Sequence, residues 1–115
     1  MIGYVTVGTN DLPRAAKFYD AIAAEMGTAR MMEFETFIAW GTPGSGAGVA
    51  ATKPFDGNAA TVGNGVMVAL EARDNAQVER IVGEGARTLL VDDLATDGRC
   101  KVGFVRCHWV CLGFG

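Results

Sequence analysis

The sequence carries little charge, few prolines and a single histidine. Lys and Arg number 10 against 13 Asp and Glu, which gives a formal net charge of −3. Nucleic acids and anionic membranes select a basic surface, so we expect neither as a partner. Disorder is also excluded, because 50% of the residues are hydrophobic, 20% are charged and only 3 of the 115 are proline. This length and composition predict one domain with one packed core.

No apolar run approaches the roughly 20 residues that a membrane-spanning helix needs. Residues 1–5 contain no basic residue and no cleavage-like site, so no secretory signal peptide is predicted. We therefore expect a cytoplasmic protein. Its cysteines, which are Cys100, Cys107 and Cys111, would then remain reduced thiols.

The first 27 residues predict a strand followed by a helix. Residues 2–9 are rich in β-branched and aromatic types, which favours a strand. Asp11 is a good helix N-cap, and Pro13 fits the first helical turn, where a missing N–H costs nothing. Apolar residues at helical spacing and a stop at Gly27 predict a helix over about 12–26. The apolar face of this helix contains Ala15, Phe18, Tyr19, Ile22 and Met26.

The segment after this helix predicts two more strands. Residues 29–41 read as one strand with aromatic residues near its end. A turn over 42–46 contains proline and glycine, and a second, small-residued strand follows over 48–52.

The second half of the chain predicts a similar order of elements. Residues 66–70 form an apolar strand, and a helix near 75–82 follows, which Gly83 is expected to end. Further strands are predicted over 86–91 and within 100–112.

A shift of 63 positions aligns the second strand and helix with the first without a gap. The two capping residues, Asp11 and Asp74, coincide in this alignment, and apolar positions fall on apolar positions. Phe18, Ile22, Ile81 and Val82 are expected to be buried against a sheet. A duplicated unit predicts two modules that bury their sheets together, at about residues 1–62 and 63–115.

Residues 2–19 contain the pattern Asp-Leu-x-x-Ala…Phe-Tyr and resemble the first strand and helix of the vicinal oxygen chelate superfamily. That group contains glyoxalases, bleomycin-resistance proteins and extradiol dioxygenases. Residues 63–70 resemble the strand that opens its second module, and the likeness covers about residues 1–82. The resemblance implies an α+β fold of two βαβββ modules, whose strands form a curled, cup-like mixed sheet around a small-molecule pocket. The second module is shortened here. A homodimer is also implied.

The metal site of that superfamily takes one ligand from each of four strands. Its two usual histidines align with Tyr4 and Met67, and its fourth-strand glutamate falls near residues 51–52. The eighth-strand glutamate has no candidate, because residues 105–115 contain no acid. A neutral tyrosine and a thioether do not replace imidazoles as ligands of a divalent ion. We therefore predict no metal and no other cofactor.

The candidate ligand-binding residues are Tyr4, Phe37, Trp40 and Met67. We predict that the protein binds a small, largely apolar molecule in the cup, with the Tyr4 hydroxyl as a polar anchor. Each of the four also has a structural interpretation, as a half-buried strand tyrosine or as a packing residue. No catalytic residue is predicted.

Two alternatives stay open at this point. One is a glyoxalase-type lyase or isomerase, or a dioxygenase-like enzyme, and it needs a metal site. The other is a truncated or frame-altered product without activity, because every cysteine and His108 fall in the short, atypical tail.

Two further clusters have ordinary explanations. Glu33 and Glu35 lie two apart on a predicted strand, which suits acid–base work or simply a solvated strand face. Cys107, His108 and Cys111 do not predict a zinc site, because alternation along a strand turns the histidine away from the two thiols.

Overall fold

The structure is a computed structural model, and it describes part of the chain at two levels of detail. It describes residues 1–61 and 66–83 with their side chains, and the backbone of 84–88, 100–105 and 109–114. The chain divides into two compact units, Met1–Thr61 and Val62–Gly115.

The first unit is a four-stranded mixed sheet with one helix packed on it. In chain order its elements are β1 (Tyr4–Gly8), α1 (Leu12–Glu25), β2 (Ala29–Phe34), β3 (Phe37–Thr42) and β4 (Ser45–Thr52). The strand order is β1-β4-β3-β2, in which β1 and β4 are parallel and the other neighbours are antiparallel. The sheet is unclosed, and α1 contacts β2, β3 and β4. This arrangement confirms the predicted α+β class.

Helix α1 begins and ends as the sequence predicts. The Asp11 carboxylate accepts a hydrogen bond from the Arg14 N–H at 3.1 Å, which satisfies one of the free first-turn donors. The helix ends before Gly27, whose φ of 72° is costly for residues with a Cβ. Phe18 and Ile22 are buried, as expected.

The prediction of one strand over residues 29–41 was wrong. Two antiparallel strands occupy this stretch, and Glu35 and Thr36 form the turn between them. No glycine or proline marks this turn, so composition alone did not reveal it. Glu35 therefore lies in the turn and not beside Glu33 on a strand face. The fourth strand begins at Ser45, directly after a tight turn with Gly44 at φ 75°.

The strand register divides the first sheet into two faces. Successive side chains alternate between faces, and directly opposed residues share one face. The ring of Trp40 lies 4.9 Å from that of Tyr19 on α1, which identifies one side as the helix face. The helix face carries Val7, Ile38, Trp40 and Val49. The opposite side, named here the far face, carries Tyr4, Phe34, Phe37, Ala39, Gly48 and Ala50.

The second unit shows a related arrangement with fewer described strands. Its elements are β5 (Val66–Glu71), α2 (Asn75–Thr88), β6 (Cys100–Val105) and β7 (Trp109–Phe114). The order β5-β7-β6 is antiparallel throughout. By order and direction these strands correspond to β1, β3 and β2. Among the described residues of this unit, no strand corresponds to β4.

The start of α2 repeats the capping of α1. The Asp74 carboxylate accepts from the Gln77 N–H at 2.7 Å, so donor and acceptor each lie 63 positions after the α1 pair. The Gln77 side chain in turn accepts from the Arg73 N–H at 2.7 Å, one residue before the N-cap whose N–H a capping box would use. Ile81 is fully buried as predicted, whereas Val82, also expected to be buried, is half-buried.

Helix α2 does not stop at Gly83 as predicted, and it continues through Gly85 to Thr88. A helical glycine costs about 1 kcal/mol relative to alanine. Burial of a large apolar side chain contributes about 1.5–3 kcal/mol, so Val78 and Ile81 offset the two glycines. Residues 86–88 are therefore helical and not strand, and the rest of that predicted strand lies outside the described residues.

The other predictions for the tail have mixed outcomes. Two strands, β6 and β7, occupy much of the 100–112 segment, as expected. Cys107 and His108 lie outside the described residues. In the parts of the chain that are described, no helix is long and apolar enough to cross a bilayer.

We predict that Gly83→Ala stabilises the protein by up to about 1 kcal/mol, because a helical glycine gains from a Cβ. A Cβ at Gly83 would meet no atom within 4 Å, so no clash opposes this gain. Gly27→Ala is the matched control, and its positive φ should make it destabilising by about 1 kcal/mol. Urea unfolding followed by circular dichroism measures both, and a destabilised Gly83→Ala variant would mean that the helix ends there.

Candidate functional site

The far face brings two of the predicted ligand-binding residues together. The rings of Tyr4 and Phe37 meet edge-on with centroids 5.5 Å apart, and Phe34 lies 6.1 Å from Phe37. Tyr4 is 43% exposed and Phe34 is 63% exposed, so this row of three rings is accessible. The far face therefore presents an aromatic surface that runs across strands β1, β3 and β2.

The contact between Tyr4 and Phe37 shows that the far face is concave. Their register partners on β4 are Gly48 and Thr52, and β4 itself lies between the two strands. A flat sheet would separate the two backbone positions by about 13 Å along the strands and about 10 Å across them. Rings attached that far apart meet at 5.5 Å only if the sheet curls toward them.

Small residues form the floor beside these rings. Ala39 and Ala50 are fully buried, and Gly41 and Gly48 carry no side chain. A Cβ at Gly48 would come within 2.6 Å of the Trp40 carbonyl oxygen, so only glycine fits there. The glycine end of the far face is therefore made of bare backbone.

Met31 covers this glycine end, and sequence reasoning missed it. The register between Arg30 and Met32 shifts, so Met31 is the extra residue of a β-bulge. The Met31 sulfur lies 3.2 Å from the position that a Cβ would take at Gly41, and its methyl lies 2.9 Å from the corresponding position at Gly48. The two consecutive methionines were a weak signal, but a bulge cannot be read from them.

Trp40 lies on the helix face, away from Tyr4 and Phe37. It is only 2% exposed, and its indole N–H donates to the Asp20 carboxylate at 2.7 Å. The structure thus does not bring Trp40 together with the two far-face rings. Met67, the fourth candidate, belongs to the second unit, where it lies opposite Gly113 on β7 and is 60% exposed.

A charged cluster holds α1 to the helix face. Arg30 donates two hydrogen bonds to Asp20, at 2.9 and 2.7 Å, and a third to Glu33 at 2.7 Å. Hydrogen bonding from Arg30 holds the pKa of Asp20 below its ordinary value, burial opposes this, and the Trp40 N–H lowers the pKa further. The same ion pair raises the pKa of Arg30, so the guanidinium stays charged. The cluster is a structural clamp with its hydrogen-bonding groups already paired.

A groove of about 560 Å³ lies between α1 and the β2–β3 hairpin. Its lining balances three basic side chains against three acidic ones, so it offers no net charge to select an ion. Arg30, Asp20 and Glu33 are also engaged with one another. Those six charged residues are Lys17, Arg30, Lys53, Asp20, Glu33 and Glu35.

The residues at the superfamily's metal positions do not fit a divalent ion in the first unit. The Ala51 side chain offers no ligand atom, and the Thr52 hydroxyl lies within hydrogen-bond distance of the carbonyl oxygens of Thr36 and Lys53, which share its one proton. Tyr4 provides a phenol where an imidazole is usual. Across the described side chains, no group of three or more His, Cys, Asp or Glu residues could hold a metal ion.

Comparison with known proteins finds a likeness among solved structures. The chain matches no protein-family model and no curated protein. Among solved structures it is similar to a glyoxalase/bleomycin resistance protein from Albidiferax ferrireducens T118, with a TM-score of 0.66 and 29% sequence identity. The match covers 74% of this chain and 67% of that one.

The charged cluster predicts how stability depends on pH. The pKa of Asp20 is lowered by folding from about 3.8, so the ion pair stabilises the fold fully above that pH. This contribution is lost as pH falls through the lower, folded-state pKa. Asp20→Asn should cost about 1 kcal/mol at pH 7, through weakened hydrogen bonds, and should flatten the stability loss below about pH 4.

Urea titrations at several pH values measure this effect. Glu35→Gln is the matched control, because Glu35 lies exposed in the β2–β3 turn, and its stability at pH 7 should stay within about 0.5 kcal/mol of the parent. If Asp20→Asn and the parent lose stability in parallel on acidification, the clamp does not contribute as described.

Proposed function

We propose that this chain, which has the fold of the vicinal oxygen chelate superfamily, binds a small, largely apolar molecule on the concave far face of its first sheet. The superfamily resemblance seen in residues 1–82 is confirmed as a fold by the likeness to the glyoxalase/bleomycin resistance protein. The observation that carries the binding proposal is the accessible row of Tyr4, Phe34 and Phe37 on a curled sheet. Concave apolar surfaces with few polar groups are the usual form of small-molecule sites.

Tyr4 is the proposed polar anchor of the site. Its ring packs against Phe37, while 43% of the residue remains exposed. Within the described residues, its hydroxyl has no hydrogen-bond partner, which leaves it available to a ligand. Removal of the hydroxyl should therefore weaken ligands that carry a polar group and leave purely apolar ligands unaffected.

We predict that naphthalene and 1-naphthol bind the 115-residue chain saturably and shift the backbone amide signals of residues 4–8, 37–42 and 48–52. Phe37→Ala should weaken the binding of both molecules about tenfold, because the loss of an aromatic contact costs about 1.5 kcal/mol of binding free energy. Tyr4→Phe should weaken 1-naphthol a few-fold, the effect of one hydrogen bond of about 1 kcal/mol, and leave naphthalene unchanged.

Phe55→Ala is the matched control for this titration, since Phe55 is fully exposed on the loop after β4. It should leave both affinities unchanged. Amide shifts confined to the α1 groove, near Lys17 and Lys53, would place the ligand in that groove and contradict the proposed site. Absence of saturable binding at millimolar probe would favour an inactive product.

We also propose that binding uses no metal ion, which separates this function from glyoxalase-type lyase or dioxygenase chemistry. The support is the donor set, with Tyr4 and Met67 at the two usual histidine positions and no carboxylate at residues 51–52. Self-association into a homodimer, which the resemblance implies, stays a prediction.

The metal proposal predicts less than about 0.1 equivalent of zinc, nickel or iron per chain after dialysis, because thioether and neutral phenol groups are poor ligands for these ions. Elemental analysis of protein dialysed against each metal measures this. Retention of about one ion per chain, reduced in a Tyr4→Phe variant, would support the enzyme alternative instead.

A further inference from the structure

Met31 occupies the part of the far face that has no side chains of its own. Its thioether lies over Gly41 and Gly48, with sulfur and methyl at 3.2 and 2.9 Å from the positions where side chains would begin. Met31 is only half-buried, so part of it stays accessible to solvent. It therefore fills a backbone depression without being sealed into a core.

The backbone that forms the depression is fixed, whereas the Met31 side chain that fills it can change conformation. A Cβ at Gly48 would lie 2.6 Å from the Trp40 carbonyl oxygen, so Gly48 cannot carry a side chain, and a Cβ at Gly41 would lie 3.2 Å from the Gly48 Cα. Methionine is unbranched and has three rotatable side-chain bonds, so it leaves such a space at small energetic cost. A β-branched residue would be held by its restricted χ1.

The bulge gives Met31 an unusual position in the strand. Met31 is skipped in the pairing of β2 with β3, which runs from Arg30–Trp40 to Met32–Ala39. Bulges commonly redirect side chains next to binding sites. Here the bulge adds a second methionine to the face that carries Tyr4 and Phe37.

We propose that Met31 is a displaceable plug that determines which ligands the far face accepts. This inference rests on the proposed function and gives it a ligand class, namely flat aromatic molecules larger than one ring. A single ring fits beside Tyr4 and Phe37 with Met31 in place. A fused second ring extends onto the Gly41–Gly48 backbone and displaces the thioether, whose sulfur then contacts the ring edge.

Phenol and 1-naphthol, titrated into the full chain, test this inference. Met31→Ala removes the need for displacement, so the affinity for 1-naphthol should rise about fivefold. The affinity for phenol should change less than about twofold. Met31→Ile replaces the flexible side chain with a stiff one, so the affinity for 1-naphthol should fall about fivefold or more. The affinity for phenol should again stay unchanged. Met26→Ala is the matched control at the end of α1 and should change neither affinity.

The outcomes separate this inference from the proposed function. If the parent binds both probes and Met31→Ala does not change the ratio of their affinities, the role proposed for Met31 is wrong and the proposed binding site is supported. If only Met31→Ala binds 1-naphthol, the plug is supported as a closed gate. If neither protein binds either probe, both proposals fail. In the parent, contacts of the Met31 methyl with the α-protons of Gly41 and Gly48, lost on adding 1-naphthol, would show the displacement directly.

Discussion

One extra residue in β2 determines what each face of the first sheet presents. Residues three apart on a regular strand point to opposite faces, so Arg30 and Glu33 meet only because the bulge lies between them. Arg30 can then also form an ion pair with Asp20 on α1, and this ion pair holds the helix to the sheet. The same extra residue, Met31, goes to the far face. The helix clamp and the proposed plug are thus two results of one irregularity.

The clamp also explains why the aromatic residues divide between two roles. Trp40 donates to the Asp20 carboxylate and packs on Tyr19, so its large surface contributes to the core. Burial of such a side chain with its N–H satisfied is a strong stabilising contribution. Phe37 lies on the opposite side of the sheet from the helix and remains half-buried on the far face.

Much of the fold could be predicted from sequence, because caps and apolar periodicity are local signals. Asp11, Asp74 and the repeated strand–helix order predicted α+β modules that the structure confirms. The turn at Glu35 was missed because it lacks the usual turn residues. The opposite facing of Phe37 and Trp40 follows from their spacing of three, a signal that was present but unused. The position of Met31 could not be predicted, since a bulge depends on pairing between distant strands.

The described part of the second unit contains no counterpart of β4, and this has a consequence for the number of ligands that the proposed function predicts per chain. A duplicated module normally offers two equivalent sites, and two ligands per chain would then be natural. In the first unit, however, β4 supplies Gly48 and Ala50, which form half of the small-residue floor. In the described part of the second unit, β5 pairs directly with β7, the counterpart of β3. Strand β5 therefore has an antiparallel neighbour there, whereas β1 has the parallel neighbour β4. Among the described residues, the second unit therefore repeats the scaffold without repeating the floor, so the proposed binding face belongs to the first unit alone.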